Sequence, residues 1–106
     1  MSERGTERDL GVVTRKKTAK KTKTPPLYKV LLHNDDYTTM EFVVFILQNV
    51  FNHDATSATE IMLHVHRHGV GVAGVYPYEI AETRVAQVHE LAKEHEYPLR
   101  CSMEEA

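Results

Sequence analysis

The chain has 106 residues, a formal net charge of -2, one cysteine and no tryptophan. That length holds one domain with a modest core, and a lone thiol excludes a disulfide framework within the chain, which fits a reducing compartment. No apolar N-terminal run resembles a secretory signal and no stretch is long enough to span a bilayer, so the expectation is a soluble, cytoplasmic protein with no membrane partner.

The charge is divided along the chain. Residues 1–26 carry eight basic and three acidic side chains, a charge of +5, whereas residues 27–106 carry five basic and twelve acidic ones, a charge of -7. The first segment lacks the large apolar residues that would offset its ordering entropy, and Pro25-Pro26 closes it as a stiff joint. The expected organisation is a flexible, basic N-terminal extension over 1–26 and a folded domain over 27–106. The cluster from Arg15 to Lys23 could contact phosphates of nucleic acid or the ribosome. It has no interleaved aromatics for base stacking, and the acidic domain offers no complementary basic face, so no specific nucleic-acid partner is expected.

In chain order, Leu27–His33 reads as a short, largely buried strand. Asn34-Asp35-Asp36 follows, and Thr38-x-x-Glu41 has the form of a capping box. A helix over about Met40–Phe51 carries Met40, Val43, Val44, Leu47, Val50 and Phe51 at helical spacing, and Phe42, Phe45 and Ile46 widen the stripe. This predicts a helix buried on more than one side. Asp54 is placed to cap a second helix, about Ala55–His68, which Gly69 terminates. Val70–Tyr76 reads as a strand whose two glycines suggest close approach of another backbone. Pro77 opens a third helix, about Tyr78–His95, with Ala81, Val85, Val88 and Leu91 or Ala92 inward, and Leu99–Met103 alternates as a last strand. The fold class expected is α+β: a compact βααβαβ domain with a small three-stranded antiparallel sheet packed with three helices.

Chemistry is sparse. His64 and His68 are four apart, but they fall on the outer face if Met62 and Val65 point inward, and no cysteine or carboxylate lies at ligand spacing beside them. No metal and no other cofactor is expected. Asp35 and Asp36 are adjacent, which is poor geometry for a carboxylate dyad. No nucleophile elbow or phosphate-cradling glycine loop occurs, so the reading is not an enzyme. Taken alone, Asn34-Asp35-Asp36 is a capped turn. Met62 and His66, with Val65 adjoining, share one face of the second helix. Spacing leaves open whether Asn34 and His66 meet.

Leu27-Tyr28-Lys29-Val30, then Asn34-Asp35-Asp36-Tyr37-Thr38-Thr39-Met40-Glu41-Phe42-Val43, resembles the ClpS adaptor family. So do Met62-x-x-Val65-His66, Gly74-Val75, Glu79-x-Ala81-Glu82-Thr83 and Pro98-Leu99. The resemblance spans about residues 26–106. It implies an adaptor that binds N-degron substrates, whose first residue is Leu, Phe, Tyr or Trp. The adaptor delivers them to the Clp unfoldase–protease through the N-terminal domain of ClpA, and is a monomer when free. Carried over by position, Asn34, Asp35 and His66 would receive the substrate α-amino group. Met40, Val43, Met62, Val65 and Leu99 would line the side-chain pocket, with Asp36 and Thr38 at its mouth. Glu79 and Arg84 would dock on the unfoldase. The chain departs from the family's usual pattern with Thr39 where proline is common and Arg84 where lysine is common.

Overall fold

The computed structural model describes residues 25–106. The basic cluster and the rest of the extension up to residue 24 lie outside the described residues. The elements are β1 (Leu27–His33), α1 (Met40–Asn49), α2 (Ala55–His68), β2 (Val70–Pro77), α3 (Tyr78–Glu94) and β3 (Arg100–Glu105). β1 is the central strand, antiparallel to β2 on one side and to β3 on the other. This is the α+β architecture, in βααβαβ order, that the sequence predicts.

β1 is central because its alternation suits a half-buried strand. Val30 and Leu32 are fully buried on its inner face, while Lys29, Leu31 and His33 alternate with them. The core closes on that inner face with Phe42, Val43, Ile46 and Leu47 from α1, Ala58, Met62 and Val65 from α2, and Ala81, Val88 and Ala92 from α3. The β1–β2 register slips by one residue between Val30 and Leu31, which leaves Ala73 without a partner on β1. His53 Nε2 lies 2.6 Å from the Ala73 carbonyl oxygen, and because a carbonyl can only accept, the ring nitrogen donates.

Four expectations need correction. The cap of α1 is Thr39, not Thr38: Thr39 Oγ1 accepts from the Phe42 N–H at 3.1 Å. The Thr38 hydroxyl is turned towards Asp35, donating to its Oδ2 at 2.8 Å, and the Thr38–Glu41 capping box does not form. α1 ends at Asn49, short of Phe51: the Val50 N–H still donates to Ile46, but Asn52 turns left-handed at φ 61° and the His53 N–H donates back to the Leu47 carbonyl. Asparagine tolerates that region better than most residues. The second apolar face of α1 is not buried, since Phe45 stays 38% exposed. Finally, the two glycines of β2 meet side chains rather than another strand's backbone. A Cβ at Gly71 would stand 2.7 Å from Val65 Cγ2, and one at Gly74 would strike the Tyr76 ring.

Candidate functional site

The polar junction after β1 and the C-terminal turn of α2 are joined through the backbone. Gly69 caps α2 at φ 89°, a left-handed conformation that costs glycine little. The chain reverses there into β2, and Val70 pairs with His33. One step further, the Asn34 N–H donates to the Gly69 carbonyl at 2.9 Å. The absence of a side chain at Gly71 lets Val65 pack onto β2. By these contacts Asn34 is carried to the end of α2, where His66 stands.

Asp35 organises the turn between β1 and α1. Its Oδ1 accepts from the Tyr37 N–H at 2.8 Å and the Thr38 N–H at 2.7 Å, and its Oδ2 accepts from the Thr38 hydroxyl. Partial burial pushes its pKa up, but the three hydrogen bonds outweigh that and hold it below the ordinary aspartate value. The carboxylate therefore stays ionised. Three of its roughly four lone-pair sites are used, which leaves capacity for one external donor. The turn delivers the chain to Thr39, and the Thr39 cap sets where Met40 begins α1.

These elements enclose a cavity of about 250 Å³ lined by Asn34, Asp35, Asp36, Thr38, Met40, Val43, Met62, Val65 and His66. Asn34, Asp35, Asp36, Thr38 and His66 supply polar groups. Met40, Val43, Met62 and Val65 supply apolar ones. Two carboxylates face the cavity and no lysine or arginine lines it. Such a lining suits a ligand that has a cationic head and an apolar body. His66 is an exposed side chain rather than a core histidine, while Val43, Met62 and Val65 are buried walls.

The structure thus brings together nine of the residues singled out from sequence. Leu99 does not join them: it is 4% exposed and belongs to the core. Glu79 and Arg84 lie on α3, which contributes nothing to the cavity. Glu79 is exposed in the first turn. The Arg84 guanidinium sits 5.5 Å from the centre of the Tyr76 ring, and its Nε has no hydrogen-bond partner among the described residues. His64 and His68 stack on the outside of α2 at 4.2 Å. No group of three or more potential metal ligands occurs among the described residues. The sequence places Val44 and Phe45 on the apolar stripe of α1 and gives Gln48 no role, whereas in the structure all three border a neighbouring cavity that shares Met40 and Met62 with this one. The available signal was the excess of apolar residues on α1 beyond what one buried face needs.

A cavity with polar acceptors on one side and apolar walls on the other is of the kind by which small binding proteins hold a ligand. The sequence pattern of the ATP-dependent Clp protease adaptor protein ClpS matches residues 23–102. The ATP-dependent Clp protease adapter protein ClpS of Parvibaculum lavamentivorans is 61% identical over 94 residues, which cover 89% of this chain and 84% of that protein. The adapter protein ClpS 1 of Agrobacterium fabrum is 58% identical over 100 residues, 94% of this chain and 84% of the relative. The structure of Agrobacterium tumefaciens ClpS2 bound to L-phenylalaninamide superposes with a TM-score of 0.76 at 40% identity, covering 78% of this chain and all of that one. The chain belongs to the ClpS family. It is an adaptor of the Clp protease and not itself a protease.

Proposed function

We propose that the cavity between the β1–α1 turn and α2 captures the first residue of proteins that begin with Leu, Phe, Tyr or Trp. The adaptor then delivers these N-degron substrates to the ClpA unfoldase in the cytoplasm. The observation that carries this reading is the cavity's lining: acceptors and ionised carboxylate among its polar groups, no competing cation, and thioether and valine walls beside them. The ClpS2 relative holds L-phenylalaninamide, a molecule with an α-ammonium and an apolar side chain, and this supports the same use of the cavity here.

In this reading Asn34 offers its amide oxygen, Asp35 its remaining lone pair and charge, and His66 an unprotonated ring nitrogen to the three N–H donors of the α-ammonium. Met40, Val43, Met62 and Val65 hold the side chain, and Asp36 and Thr38 border the mouth. A hydrogen bond to a charged group contributes roughly 1.5–3 kcal/mol, and burial of a Leu or Phe side chain roughly 1.5–3 kcal/mol. Two or three such bonds with the side chain give a gross gain of roughly 4.5–12 kcal/mol, from which association costs of at least about 4 kcal/mol are subtracted. The net is at most about -8 kcal/mol, micromolar at its tightest, which suits an adaptor that must release its cargo. Glu79 and Arg84, on an element that does not line the cavity, form the docking surface for the N-terminal domain of ClpA. A free monomer can therefore engage substrate and unfoldase at once.

Titration with Leu- and Phe-initiated peptides, each with a free and an acetylated N-terminus, tests the reading. Acetylation removes charge and donors together, so the free peptides are expected to bind and the capped ones to lose at least about a hundredfold in affinity. Equal binding of both forms would reject the ammonium site.

A further inference from the structure

The amphipathic pattern of α1 is wider than one buried face requires. Phe42, Val43, Ile46 and Leu47 are buried. Val44 and Phe45 lie on a different side, and Phe45 remains 38% and Met40 44% exposed. Glu41, Val44, Phe45 and Gln48 stand at i, i+3, i+4 and i+7, so they form one continuous strip along the helix. With Met40 and Met62 they line a cavity of about 360 Å³. Phe45 is held in place by stacking on Phe42 at 5.9 Å and by the His95 ring at 5.9 Å. The groove is therefore walled by an ordered aromatic rather than by a loose side chain.

Met40 and Met62 line both this groove and the cavity proposed to hold the first residue. One layer of side chains separates the two. In an extended peptide, successive side chains point to opposite sides and residues i and i+2 point the same way, about 6.6 Å apart at roughly 3.3 Å per residue. A peptide whose first side chain lies on one side of the Met40–Met62 wall carries its third side chain to the other side, while its second faces away.

We infer that the α1 groove is a second subsite, which takes an apolar or aromatic side chain at the third position of the substrate. This rests on the reading of the neighbouring cavity as the site for the first residue. The subsite makes the adaptor a reader of a short pattern, first and third residues, rather than of the N-terminal residue alone. It also accounts for an apolar helix face left open beside a binding cavity.

The test is a titration of the full chain with Leu-Ser-Ser-, Leu-Phe-Ser- and Leu-Ser-Phe-initiated peptides, otherwise identical, and with the N-acetylated form of the first. The same set is run on Phe45→Ala and on the near-isosteric Val44→Thr. Wild type is expected to bind Leu-Ser-Phe roughly fivefold or more tighter than Leu-Ser-Ser. Either variant should shrink that ratio towards one while it binds Leu-Ser-Ser as wild type does, which also shows that the variant is folded. Equal affinity for Leu-Ser-Phe and Leu-Ser-Ser in wild type overturns the subsite. A preference that survives both variants, or one found with Leu-Phe-Ser instead, overturns its location or its register. Should free and acetylated Leu-Ser-Ser bind equally, the first-residue reading itself falls and the subsite falls with it.

Discussion

Met40 occupies the first turn of α1, 44% exposed, and lines both the cavity proposed for the first residue and the α1 groove. A side chain unbranched at Cβ, such as Leu or Phe, can pass a methionine at that position, whereas Ile or Val presses a second branch against it. Differences of this size are worth about 1–3 kcal/mol in an apolar pocket. Met40→Ala is expected to admit Ile- and Val-initiated peptides and to lower the Leu-over-Ile ratio by roughly tenfold in a peptide titration. A ratio equal to that of wild type would remove Met40 from the role of selector. Asp35 illustrates a different economy at the same scale. Its carboxylate builds the turn that positions Thr38, Thr39 and Met40, and the bonds that do so keep it ionised.

At the scale of elements, two helix ends set the site. α1 starts on a side-chain cap from Thr39. Removal of a threonine cap costs roughly 1 kcal/mol. Thr39→Ala is therefore expected to lower stability by about that amount in urea denaturation. Thr39→Pro should cost less, because the observed φ of -73° is one that proline adopts. If Thr39→Ala melts with the wild type, the Thr39–Phe42 bond carries no net stability. α2 ends on left-handed Gly69, whose carbonyl receives the Asn34 N–H. That single bond ties the start of α1's turn to the end of α2, and so ties Asn34 to His66.

Across the whole molecule, the cavity between the β1–α1 turn and α2 and the α3 residues Glu79 and Arg84, proposed for capture and docking, lie on separate elements. Beneath both, Cys101 records the integrity of the core. It pairs with Leu32 across β1 and β3, its backbone N–H donates to His89 Nε2 of α3 at 3.1 Å, and the residue is 6% exposed. Burial pushes its thiol up to about 12, so almost no thiolate exists near neutrality in the folded state. Alkylation of the native protein at pH 8 should be slow, and its rate should rise with urea along the global unfolding transition. Labelling at the rate of a free thiol without denaturant would show that β3 opens independently of the rest.

Periodicity and capping residues were enough to place six elements in order, whereas the nine residues that line the cavity were named only through the resemblance carried by the string from Asn34 to Val43 with Met62, Val65 and His66. Those features are local, since helix and strand periods, left-handed Gly69 and the Asp54 cap depend on neighbours a few residues away. What tertiary structure decided was which local options prevailed. The Thr38 hydroxyl turns towards Asp35, and the cap of α1 is Thr39. Leu99 shares the buried core with Val43 and Val65 but, unlike them, is not among the residues that line the cavity. The meeting of Asn34 with His66 depends on the β1–β2 pairing, a long-range contact that no spacing encodes. Phe45 belongs to the same decision: helical periodicity put it on the buried stripe of α1, and tertiary packing leaves it 38% exposed.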